Sequence, residues 1–109
     1  MLRERQLFVR IGELALPADS RLIAQYGGTD GVLIGTMDLL FREGDSYVLV
    51  DYKTDYVRNA ETLLQEYSLQ LGLYQKAAEL MFGVHVREAY IYSFTLGKEI
   101  RVPLSEIRY

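Results

Sequence analysis

VLIGTMDLLFREGDSYVLVDYK, residues 32–53, contains two β-rich runs separated by Glu43-Gly44-Asp45. A glycine followed by a polar residue suits a two-residue type II′ hairpin loop, with Gly44 at the position that needs φ > 0. That loop sets the register: Glu43 faces Ser46, Phe41 faces Val48, Leu40 faces Leu49, and Asp38 falls opposite Asp51. Directly opposed residues hold their Cβ atoms only about 4.5 to 5.5 Å apart, and like charges so placed repel. A hairpin rich in Val, Leu and Ile has no structural use for that clash. Hard oxygen ligands on adjacent strands are what Mg²⁺ or Mn²⁺ takes up, so a dication would resolve it. Period-2 alternation puts Asp51 and Lys53 on one face and Tyr52 on the other. The same register sets Lys53 opposite Thr36, within reach of a phosphate held by the metal. Taken singly, a strand-end Asp or Lys is an ordinary solvated charge, so the weight rests on the combination.

Residues 59–82 carry apolar side chains at Leu63, Leu64, Tyr67, Leu71, Tyr74, Ala78 and Met81, the spacing of one buried helical face. Asn59, or Thr62 with Gln65 as a capping box, starts this helix and Gly83 stops it. Gln70 and Tyr74 lie one turn apart on it. Tyr74 alone reads as core, whereas a half-buried amide such as Gln70 wants a polar partner.

Gly35-x-x-Asp38, Asp51-x-Lys53 and Gln70-x-x-x-Tyr74, in this order, resemble the successive motifs of RecB-type nucleases in the PD-(D/E)XK superfamily. The nearest likeness is to nuclease domains carried by the A subunit of bacterial helicase-nucleases. It extends through Val50-Asp51-Tyr52-Lys53-Thr54-Asp55, through Tyr67 to Tyr74, and into Val86 to Phe94. The resemblance implies an α/β fold of the restriction-endonuclease type, a mixed β-sheet with a long helix packed on it. It implies Asp38, Asp51 and the main-chain carbonyl of Tyr52 as ligands of Mg²⁺ (Mn²⁺ as substitute), and Lys53 as the group that orients the attacking water and offsets phosphate charge. Gln70 and Tyr74 would line the site, and Thr54 and Asp55 would support it from behind. The implied activity is metal-dependent exonuclease cleavage of DNA during double-strand-break processing and recombination, on the 3′-ended strand. The implied partners are DNA, a helicase portion of the same chain and a second helicase-nuclease subunit, in the cytoplasm. The family's upstream helix, which carries a His or an acid, is expected to lie outside residues 1–109, so the chain reads as one nuclease domain from a longer protein. Glu4 and Glu13 sit in a strand-like context and take no role, and His85 reads as an exposed loop residue.

The chain has no cysteine, which excludes disulfides, thiolate metal sites and the iron-sulfur cluster that some relatives hold. Its formal charge of −3 weighs mildly against a nucleic-acid grip, which usually shows a basic patch, and in a nuclease domain attached to a motor strand capture can belong to the neighbour. No apolar run approaches the roughly 20 residues of a membrane span. The Gly27 to Gly31 cluster precedes a strand and reads as a turn rather than a phosphate cradle. Strands are expected at Gln6 to Ala15 and, after a loop, at Val32 to Phe41, then at Tyr47 to Tyr52, Glu88 to Thr95 and Glu99 to Pro103, the last pairing buried on both faces around Tyr90 to Phe94. Two other readings compete: a catalytically incompetent nuclease fold that guides a DNA strand or docks a partner, and a β-rich structural protein. The second requires Asp38 and Asp51 to be far apart and solvent-facing.

Overall fold

A computed structural model describes all 109 residues. Five strands, β1 (Leu2–Arg10), β2 (Val32–Glu43), β3 (Ser46–Lys53), β4 (Val86–Ser93) and β5 (Lys98–Val102), form one sheet in sequence order. All neighbours are antiparallel except β3 and β4, which the crossover helix α2 (Ala60–Phe82) joins in parallel. The expected mixed sheet with a long helix on one face is therefore present.

The β2–β3 hairpin forms as its loop chemistry dictates. Gly44 has φ 65°, Asp45 keeps an ordinary φ, and the ladder starts at Glu43 opposite Ser46. The helix limits are equally local: Asn59 Oδ1 accepts the Thr62 N–H at 3.0 Å, and Gly83 at φ 63° ends α2. Asn59 therefore caps the helix and the alternative Thr62 box is not used.

Leu7, Val9, Leu33, Met37, Leu40, Leu49, Ala89, Ile91, Ile100 and Val102 from the sheet close over Leu63, Leu71, Tyr74, Ala77 and Ala78 from α2. Met81 departs from the expected stripe. It is 40% exposed, because the last turn of α2 passes the β1 edge, where its Sδ lies 3.3 Å from the Phe8 N–H.

Three expectations need correction. The first strand starts and ends earlier than Gln6 to Ala15. After Val9 the buried Ile11 and Leu14 are three residues apart, a 3₁₀ spacing, and Ile11–Leu14 forms that turn. A short helix, α1 (Arg21–Gln25), is capped by the Ser20 side chain, which accepts the Leu22 N–H at 3.2 Å. Finally, β4 is covered on one side only. Ile91 is fully buried, Tyr90 and Tyr92 are half-buried, and Phe94 lies beyond the strand end and is exposed.

Candidate active site

The β2–β3 ladder stops at Leu39 opposite Val50, one step short of Asp38 and Asp51. Beyond that point β2 continues beside β1 as far as Val32, and β3 continues beside β4 as far as Lys53 opposite Ser93. The two strands fork. The register was expected to bring Asp38 opposite Asp51 and Lys53 opposite Thr36, but neither pair is part of the ladder. At the apex the Asp38 side chain replaces the ladder: its Oδ2 accepts the Tyr52 N–H at 2.7 Å. Both acids stay at the apex, close enough that Asp38 still raises the Asp51 carboxyl.

Asp51 lies on the α2 side of the sheet and is only 4% exposed. Its Oδ2 is 2.8 Å from Lys53 Nζ, yet no well-aligned hydrogen bond ends on that buried oxygen. Burial pushes the Asp51 carboxyl up to about 6; Lys53 opposes the rise and neighbouring Asp38 adds to it. Lys53 also donates to Gln70 Oε1 at 3.2 Å. Tyr74 is buried against the β2 branch of the fork, where Gly35 faces its phenol ring. Burial, then the charge of Asp51, raises the Tyr74 hydroxyl above its ordinary range, while the Thr36 N–H pulls the other way.

Gly35 is thus a packing requirement: a Cβ there would enter the Tyr74 ring. Gly35→Ala is expected to cost about 1 to 3 kcal/mol through overpacking. A urea unfolding midpoint equal to that of the parent chain would show that the ring moves aside freely.

Sequence reading missed Tyr67 as a site residue and placed it in the core stripe. Its ring centroid lies 4.1 Å from Lys53 Nζ, and its hydroxyl donates to Asp55 Oδ2 at 2.6 Å. That bond pushes the Tyr67 hydroxyl up to about 12. The signal was available: Tyr67, Gln70 and Tyr74 share one helical face, and Asp55 follows Lys53 by two. Lys53 is consequently held by a carboxylate, an amide and an aromatic face. Thr54 is exposed.

Glu4 lies across from Asp38, between the pairs Arg3 with Leu39 and Arg5 with Met37. It has φ 49° and lines, with Arg3, Leu39 and Tyr52, a cleft reaching Asp38. Glu13 stays exposed in the 3₁₀ turn, and His85 is exposed beside Glu79 at 3.2 Å. No cluster of three or more His, Asp or Glu side chains forms. The donor set that fits a metal is therefore two carboxylates supplemented by main chain and water. Such a set fits a hard dication that keeps several of its waters, and the buried Asp51 oxygen without an aligned donor has the hardness such an ion would need. The β-rich structural reading fails here, because it requires a solvent-facing Asp51 far from Asp38.

No helix is long and apolar enough to cross a membrane. Residues 3–102 match the model of the PD-(D/E)XK nuclease superfamily. Three relatives are each named as the A subunit of an ATP-dependent helicase/nuclease. The one from Clostridium perfringens strain 13 is 43% identical over 71% of this chain, that from Clostridium botulinum strain Alaska E43 39% over 92%, and that from Lachnoclostridium phytofermentans 46% over 71%. The chain spans only 6 to 8% of the length of these relatives. A family match over nearly every residue of the forked sheet and its helix has one consequence for classification: this chain belongs to the PD-(D/E)XK nuclease superfamily.

Proposed function

We propose that the chain hydrolyses DNA phosphodiester bonds with a Mg²⁺ or Mn²⁺ ion held by Asp38, Asp51 and the main-chain carbonyl of Tyr52. It does so as the nuclease part of a helicase-nuclease that processes double-strand ends for repair and recombination, in company with a second, different helicase-nuclease chain. The observation that carries this reading is the fork apex, where a buried carboxylate oxygen without an aligned donor adjoins both Lys53 and Asp38. The names of the relatives support the attachment to a helicase.

Bound there, a dication supplies Lewis-acid polarisation of a phosphoryl oxygen and a more acidic water. The chain's own groups do the rest. The Lys53 ammonium adds positive charge where negative charge develops on phosphorus-bound oxygens, and it orients the attacking water. Gln70 Oε1 and the Tyr67 face fix that ammonium, so little reorganisation is needed as the reaction proceeds. Tyr74 fills the space beside Gly35 and so fixes the packing of α2 against the β2 branch of the fork.

Calorimetric titration with Mg²⁺ and with Mn²⁺ is expected to give a binding heat that Asp38→Asn abolishes, and the chain with the family's upstream helix supplied at its N-terminus is expected to cleave single-stranded DNA until a chelator is added. A chain that binds neither ion and cuts nothing is not a nuclease. One that retains DNA without metal-dependent cleavage is the incompetent guide module.

A further inference from the structure

Beside the fork, between α1 and α2, lies a cleft of about 290 Å³ whose walls include Leu22, Tyr26, Leu69, Leu73, Gln70 and Tyr74. The last two are the residues that hold Lys53 and pack against Gly35, so the cleft adjoins the candidate active site and shares a wall with it. Its chemistry differs from that of the site. Seven of the ten lining residues are hydrophobic, no Lys or Arg is among them, and the one ionisable carboxylate is the exposed Glu66. A phosphate would find no counter-charge there. Gln70 commits its carbonyl oxygen to Lys53 and keeps its amide NH₂ for a ligand, and the exposed Gln25 offers a second amide at the rim. Leu69 and Ile34 expose apolar surface at the same mouth, 36% and 58% accessible. Apolar walls, two aromatic rings and two amides are the lining of a small-molecule pocket, here at the small end of the usual range.

We infer that this cleft is a nucleobase subsite. It takes the flat, uncharged part of a nucleotide next to the phosphate that lies at Asp38, Asp51 and Lys53, with the base stacked on Tyr26 and its edge on the Gln70 amide. The inference rests on the nuclease reading and deepens it: the substrate is a single strand with an unstacked base, because a base kept inside a duplex cannot enter. Stacking of a base on an aromatic side chain is sequence-tolerant, which suits a nuclease that must cut whatever sequence arrives.

The test measures binding in EDTA, so that no bond is broken. Fluorescence anisotropy compares short oligo(dT) with an oligomer of the same length built from abasic sites, which offers identical phosphates and no bases. The parent chain is expected to bind oligo(dT) roughly tenfold more tightly, and Tyr26→Leu to remove most of that preference, as loss of one aromatic stacking face would. The chain has no tryptophan, so Tyr26→Trp provides a single fluorophore that keeps the stacking face. Its emission should be quenched by oligo(dT) and not by the abasic oligomer, whether or not Tyr26→Leu folds. Equal binding of the two oligomers, or an unquenched Trp, by a chain that still cleaves DNA overturns the subsite and leaves the nuclease reading standing. Binding of neither oligomer and no cleavage removes both. A clear base preference without cleavage supports the subsite while removing the hydrolytic reading.

Discussion

Asp51→Asn is expected to abolish metal-dependent DNA cleavage and, at the same time, to raise the melting temperature of the metal-free chain at neutral pH. The side chain is isosteric and neutral, so it mimics the protonated acid, the form that burial favours relative to the unfolded chain. Burial and the neighbouring Asp38 raise the Asp51 carboxyl from 3.8 to about 6 despite the opposing Lys53. Because the folded value lies above the unfolded one, the contribution of Asp51 to stability is fully present below about pH 4 and is lost as pH rises through about 6. A shift of this size corresponds to about 3 kcal/mol at pH 7. Thermal or urea unfolding in EDTA should therefore show the variant more stable at neutral pH, with the two curves converging in acid. Cleavage should fall by about 10³ or more, because a ligand and the charge it supplies are both gone. A variant that melts below the parent at pH 7 would make Asp51 and Lys53 an ordinary stabilising ion pair. Retained cleavage would remove Asp51 from the chemistry.

This opposition between stability and activity explains which parts of the molecule were legible in the sequence. The hairpin register was legible because it depends on one local element, the Gly44 turn, and the α2 limits were legible because Asn59 and Gly83 act on their own neighbours. The fork was not. Counting along the register brings Asp38 opposite Asp51, but the ladder ends one step earlier because Asp38 takes the Tyr52 N–H and β3 follows β4 instead. That outcome depends on a strand nearly 40 residues further along the chain, which no local pattern encodes. Tyr67 was hidden for the opposite reason. It satisfies the apolar periodicity of α2, and only the direction of Lys53 turns its ring into a cation support. The same local rules misplaced β1, where Ile11 and Leu14 continue the apolar run but adopt a 3₁₀ turn.

Lys53→Met should separate the two roles that the ammonium combines. Methionine keeps the length and apolar stem of lysine and removes the charge, so the contact with the Tyr67 ring persists while the bonds to Asp51 and Gln70 are lost. The first consequence is electrostatic. The positive charge that would face the phosphate in the transition state disappears, and the rate should fall by about 10² to 10³. The second is a linkage effect. Lys53 is what holds the Asp51 carboxyl down against burial, so without it that carboxyl rises beyond about 6. A metal ligand must be deprotonated, so Mn²⁺ then competes with a proton near neutrality, and its affinity should increase as pH is raised above about 6 into the alkaline range. The parent chain should show a shallower dependence over the same interval, its Asp51 being ionised sooner. Calorimetry across that range, paired with single-turnover cleavage at a fixed Mn²⁺ concentration that is subsaturating at neutral pH and saturating at high pH, distinguishes the roles. If the rate stays low at high pH while the metal binds tightly, the ammonium acts on water or phosphate directly. If the rate recovers in step with metal affinity, Lys53 serves only to keep Asp51 ionised, and its place in the reaction is that of a positioning residue.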